Sequence, residues 1–237
     1  MIEAEGVCKV FRQPHHGRRA LRALSGGRGF EPMPALQGIS FRIAAGEFVG
    51  VLGRNGSGKS TLLRLLAGIY PPSQGRLRVA GATAPILDLG VGFHGALPVE
   101  DNARLYGVLL GLSRRTLEAE LPGILHDAGL QSWADTPLER LSTGMKMRLA
   151  FRVALLADAP ILLIDEALAV GDETFRERCL ADLQERKARG CTALLVSHEN
   201  DLLAAVCDRL LVLDHGRLAG DGPPAAMFEL YRRLRSR

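Results

Sequence analysis

The chain has 237 residues and a formal charge of +4, with 47% hydrophobic and 24% charged residues. Those values belong to a folded protein with a sizeable core and exclude general disorder; the charge excess is too small to argue for a nucleic-acid partner. Four cysteines without paired spacing read as reduced thiols, and no segment is apolar for long enough to span a bilayer or to serve as a secretion signal.

In chain order, EAEGVCKVF reads as a short strand. Residues 12–35 are basic and punctuated by Pro14, His15, His16, Gly17, Gly26, Gly27, Gly29, Pro32 and Pro34, which predicts an exposed insert loop. LQGISFRI (36–43) alternates as a second strand, a turn follows at Ala45–Gly46, and EFVGVLG reads as a buried parallel strand. A helix is expected over 60–68 and edge strands over 76–89. Residues 100–157 are mostly helical in pattern, with breaks at Gly111–Ser113, Pro122 and 129–141, so that about 90–157 forms a helical arm. PILLI (160–164) is a fully apolar strand, and a helix over 173–189 sets Phe175, Cys179 and Leu183 on one face before Gly190 stops it. TALLVS is a further buried strand, followed by a helix near 199–206 and a hairpin turning at His215–Gly216. A last helix over 224–235 spaces Met227, Leu230, Tyr231 and Leu234 for packing and ends in arginines, which read as a solvated tail with anionic lipid as the rival partner. Strands alternating with helices predict an α/β fold: a mostly parallel sheet covered on both faces, with the helical arm inserted between sheet strands.

GRNGSGKST (53–61) fits the phosphate-binding pattern G-x-x-x-x-G-K-[ST], after a buried strand and at the start of a helix. Its backbone N–H groups and the helix N-terminus suit a nucleotide's phosphates, which makes Gly53, Arg54, Asn55, Gly56, Ser57, Gly58, Lys59, Ser60 and Thr61 the candidate ATP-binding set. Lys59 reaches toward the β- and γ-phosphates and Ser60 offers its hydroxyl to Mg²⁺. ILLIDE (161–166) delivers Asp165 and Glu166 at a strand's C-terminal end, Asp165 toward Mg²⁺ and Glu166 toward the attacking water. LSTGM (141–145) reads by itself as a helix capped by Ser142.

The order GRNGSGKST, LSTGM, ILLIDE and LLVSHE resembles that of ATP-binding-cassette (ABC) ATPases. Asp165 follows Ser142 by 23 residues and His198 follows Asp165 by 33, and the resemblance runs from about Val7 to Asp221. It implies a head-to-tail homodimer, in which Ser142, Thr143 and Gly144, together with Asp172 in AVGD, face the ATP held by the partner's phosphate loop. It also implies that His198 contacts the γ-phosphate and that Phe11 stacks on adenine, where a core phenylalanine is the rival reading. A glutamine that the family carries after the first sheet region, in contact with Mg²⁺ and the transmembrane partner, is missing from ILDLGVGFHGALPVEDN; Asp88 is the nearest polar candidate for that Mg²⁺ contact, and Met145 replaces the signature's last glutamine.

Three segments, DLGVGFHGALPVEDNARLYGVLLGL, LSTGMKMRLAF and LLIDEALAVGDETFRERC, resemble the branch that exports bacterial surface polysaccharides: O-antigen, capsule or teichoic acid. That likeness implies a peripheral protein at the cytoplasmic face of the bacterial inner membrane. Its partners would be two copies of a separate transmembrane permease and its cargo a lipid-linked polysaccharide, with no nucleic acid. The expected contact surface is the arm around 86–130, including Phe93, His94 and Leu97. The chain is expected to be one ABC ATPase domain over 1–237 without an appended carbohydrate-binding domain. Export of another cargo, such as a drug or lipid, is the alternative. A soluble ABC ATPase of translation or DNA repair would carry a second cassette or a long coiled coil, and a P-loop kinase would leave LSTGM and His198 unexplained.

Overall fold

The computed structural model describes residues 1–14, 30–87, 89–165, 173–197 and 199–236. Strand β1 (Ile2–Pro14) pairs antiparallel with β2 (Phe30–Ile43), from Ile2 opposite Ile43 to Pro14 opposite Phe30. The chain then enters β3 (Phe48–Gly53), helix α1 (Lys59–Leu66), β4 (Gln74–Val79) and β5 (Thr83–Ile86). The arm consists of α2 (Val99–Leu109), α3 (Arg114–Asp127) and α4 (Thr143–Leu155), with two short 3₁₀ turns before α4. Strand β6 (Ile161–Asp165), α5 (Glu173–Ala188), β7 (Thr192–Val196), α6 (Asn200–Val206), β8 (Arg209–Asp214), β9 (Arg217–Gly222) and α7 (Pro224–Arg235) complete the chain.

Two sheets result. A small antiparallel one has the order β2-β1-β4, and the main one has the order β5-β6-β7-β3-β8-β9. All pairings in the main sheet are parallel except β8 with β9. The apolar strands are buried from both sides, and their alternate residues feed two cores. Phe48 and Leu52 of β3, Leu162 and Ile164 of β6, and Ala193 and Leu195 of β7 pack with the arm and α5. Val49, Val51, Ile161, Leu163, Leu194 and Val196 pack with α1 and the small sheet.

Two expectations are corrected. Residues 12–14 and 30–35 belong to strands, and only 15–29 of the expected insert, with His15 and His16, lie outside the described residues. Pro32 and Pro34 are tolerated because β2 is an edge strand, where a missing N–H costs no ladder bond on the open side. Pro122 does not break the arm either, since it lies inside α3. It sits on the exposed face, where solvent can reach the carbonyl that its missing N–H leaves free. Among the described residues no helix is long and apolar enough to cross a membrane.

Candidate nucleotide site

β3 ends at Gly53 and α1 opens at Lys59 behind Gly58, which holds φ at 104°. Only glycine suits that position: a Cβ would lie 2.7 Å from the Ala35 carbonyl oxygen of β2. The first intrahelical bond runs from Leu62 N to Gly58 O at 2.9 Å. The N–H groups of Lys59, Ser60 and Thr61 precede it, leaving donors and the positive end of the helix for an anion. Lys59 is 6% exposed and donates from Nζ to the carbonyls of Gly53 (2.9 Å) and Arg54 (3.3 Å), so its ammonium lies across the start of the loop.

A brace from the C-terminal hairpin holds this loop. His215 and Gly216 take φ of 45° and 76°, as a type I′ turn requires. Gly216 N donates to Ser57 O at 3.1 Å and Gly216 O accepts from Gln37 N at 2.7 Å. The turn is thus wedged between the phosphate loop and β2. Arg54 and Asn55 also line an open cleft with Tyr231 and Arg235 of α7, so at least one of the terminal arginines lies beside the phosphate loop.

Asp165 ends β6, half-exposed and in register with Val196 of β7, which is in register with Val51 of β3. Two strand spacings, about 10 Å, separate β6 from β3 along the same edge. Ser60 and Asp165 together offer a hydroxyl and a carboxylate, hard oxygen donors of the kind Mg²⁺ prefers. Glu166, His198, Asp172 and Asp88 lie outside the described residues. β5, β6 and β7 all run parallel to β3.

Phe11 is half-buried on β1, its ring 5.4 Å from that of Tyr70 and edge-on to it. Lys9 Nζ lies 5.2 Å from each of the two ring centroids and donates to Pro71 O at 2.8 Å. Phe11 is opposite Met33 on β2, the strand whose Ala35 and Leu36 abut Gly58.

Ser142 caps α4, and its Oγ accepts from Met145 N at 3.3 Å. Ser142 and Thr143 are exposed and Gly144 half-exposed, which leaves the first turn of the helix open to an outside ligand. α4 packs against α2, α3 and β5. β6 and β7 intervene between β5 and β3, a separation of about 14 Å.

Sequence patterns missed three residues that shape this site. Asn102 in the first turn of α2 is fully buried. Gly216 is legible as a turn but not as a brace. Arg152 of α4 bonds Asp127 of α3 and Asp182 of α5, tying the arm to the sheet's covering helix. Each depends on a fold contact distant in sequence, and no local motif announces it.

Residues 36–169 match the ABC transporter family. The O-antigen export ATP-binding protein of Klebsiella pneumoniae is 38% identical over 217 residues, covering 92% of this chain and 87% of its own length. The chain belongs to the ABC transporter family. A second relative, the O-antigen export ATP-binding protein of Myxococcus xanthus, is 41% identical over 214 residues, 90% of this chain, which spans about half (49%) of that protein. Among solved structures, a dimeric ABC cassette in a post-hydrolysis state bound to ADP and Pi superposes with a TM-score of 0.76 at 21% identity, covering 94% of this chain and 99% of its own. At that identity the likeness concerns the fold: this chain has the architecture of an ABC cassette.

Proposed function

We propose that this chain is the ATP-hydrolysing subunit of an ABC exporter that drives a lipid-linked surface polysaccharide across the bacterial inner membrane. It works at the cytoplasmic face, as a head-to-tail homodimer bound to two copies of a separate transmembrane permease. The observation that carries the reading is the exposed start of α4: Ser142 caps it and Thr143 is exposed, which leaves the first turn open to a phosphate from outside the chain. Such a seat has a use when a second copy supplies the phosphate.

In this reading Phe11 stacks on adenine, while Lys59 and the loop N–H groups hold the β- and γ-phosphates. Ser60 and Asp165 hold Mg²⁺, which when bound supplies positive charge at the phosphate oxygens, and Asp88 is the candidate for the missing glutamine's place. Ser142, Thr143, Gly144 and Asp172 of one copy close over the nucleotide of the other. Glu166 orients a water whose oxygen attacks the γ-phosphorus; the bond to the bridging oxygen breaks, its electron pair leaves with ADP, and the water's proton passes to the carboxylate. His198 contacts the γ-phosphate. Release of phosphate removes a ligand shared by the two halves and lets them part.

The cargo assignment is supported by the polysaccharide-branch segments and by relatives named for O-antigen export. Its test is deletion of the gene, followed by complementation with wild type and with Glu166→Gln. Loss of surface glycan with lipid-linked glycan accumulating inside, rescued by wild type alone, is expected. Unchanged glycan on both sides would overturn the cargo and point to another substrate for the same machine.

A further inference from the structure

Residues 93–98 form a loop in which His94 and Leu97 are exposed, while Phe93 packs edge-on to Tyr106, 5.2 Å between centroids. Beneath it lies Asn102, at 0% exposure. Its Oδ1 accepts from His94 N at 2.7 Å. Its Nδ2 donates to the carbonyls of His94 (3.0 Å), Leu97 (3.0 Å) and Pro98 (2.9 Å). One side-chain amide thus does for the loop what a neighbouring strand would do, satisfying both backbone groups of His94.

The loop is also fastened to the segment that runs into α4. Leu138 N donates to Leu97 O at 2.9 Å, Glu139 N donates to Gly95 O at 2.9 Å, and Pro98 bridges Pro137. Ser142 follows Glu139 by three residues, and Leu138 and Leu141 on the way are buried. Little slack remains between an exposed loop and the capped start of α4.

We propose that Asn102 is a positioning residue: it locks loop 93–98 to segment 137–141, so that a push on the loop moves the Ser142 seat. That the push comes from the permease rests on the function proposed above. The lock itself rests only on the hydrogen bonds, and it is tested without a permease.

Asn102→Ala removes all four bonds, and Asn102→Asp keeps the acceptor but loses the donors. Titration of the purified full chain with a fluorescent ATP analogue checks that the phosphate loop is intact, with affinity expected within about twofold of wild type. The turnover number of ATP hydrolysis should fall about tenfold or more with KM little changed, because a seat displaced by a fraction of an ångström no longer fits the transition state. Amide hydrogen exchange should speed up at His94, Leu138 and Glu139 and, together with them, at Met145 and Lys146, but not at Ser57 or Leu62. Faster exchange confined to 94, 138 and 139 with normal turnover would overturn the proposal, since Asn102 would then serve only its own loop.

If neither variant binds nucleotide, wild-type exchange with and without ATP decides. The lock requires ATP to protect 94, 138 and 139 in step with 145 and 146; protection of 145 and 146 alone, or of neither set, overturns it. The permease contact has its own readout. The double variant His94→Ala, Leu97→Ala should fail to restore surface glycan in the deleted strain, and full restoration would remove the permease from this loop while leaving the lock to stand on the exchange data.

Discussion

Lys59 is held over the phosphate loop by two carbonyls of that same loop, so its charge is in place before any nucleotide arrives. Replacement by alanine removes a side-chain cation that the fold keeps nearly buried there. A hydrogen bond from a charged donor contributes about 1.5–3 kcal/mol. Lys59→Ala is therefore expected to weaken ATP binding at least about tenfold by calorimetry, with the unfolding transition much less affected.

Gly216 acts on the same loop from outside. Its φ of 76° and the Ala35 oxygen 2.7 Å from a would-be Cβ leave no room for a side chain. Gly216→Ala should cost about 1–3 kcal/mol in a urea titration and also weaken ATP binding, because the strain falls on the bond to Ser57. Wild-type affinity in that variant would detach the hairpin from the loop's function.

The cysteines offer a prediction on pH. Burial pushes the thiols of Cys179 and Cys207 up to about 12, and that of Cys191 upward as well. The folded state favours their neutral form, so this contribution to stability is complete below the ordinary thiol range near 9 and is lost as pH rises through about 12. At pH 8 in native conditions Cys8, the one cysteine that is not buried, should react quickly with a thiol reagent, and the other three only on unfolding.

At the scale of elements, periodicity revealed most of the architecture. β3, β6 and β7 are short apolar runs because both faces of the central sheet are covered, and α5 turns Phe175, Cys179 and Leu183 inward as their spacing predicts. The errors share one cause. Proline was read as a breaker at 32, 34 and 122, yet its effect depends on whether the missing N–H would have met a partner or water. Edge position and solvent exposure answer that, and both are properties of the assembled fold. The terminal helix is legible too, but its apolar residues are only partly buried.

Arg152 belongs to the same scale, because it joins three helices. Its side chain is 15% exposed, while those of Asp127 and Asp182 are about one-third exposed. Arg152→Ala leaves two carboxylates facing each other's helices without their shared cation. Solvent moderates the loss to about 1–3 kcal/mol, less than for a fully buried pair. The urea midpoint should fall with an unchanged slope, and a changed slope would mean that the arm had come loose from the sheet rather than weakened.

At the scale of the whole molecule, motif order made the family legible because phosphate chemistry demands glycines, a lysine and acidic residues at fixed strand ends. It did not reveal the order β5-β6-β7-β3-β8-β9, since strand order in a sheet is not written in sequence order. β6 and β7 lie between β5, against which α4 packs, and β3, which opens into the phosphate loop. In the proposed head-to-tail dimer the capped start of α4 in each copy would meet the phosphate loop of the other. There the γ-phosphate would be a ligand shared by two subunits, which would give its hydrolysis a mechanical meaning.

The most direct test removes hydrolysis and then removes the seat. Glu166→Gln in the presence of ATP and Mg²⁺ should sediment as a dimer, and as a monomer without nucleotide. Adding Ser142→Arg to it should return the ATP-bound protein to monomer while fluorescent-ATP binding at the phosphate loop persists. A double variant that still dimerises, or a Glu166→Gln chain that binds ATP and stays monomeric, would contradict an account in which each copy completes the other's site.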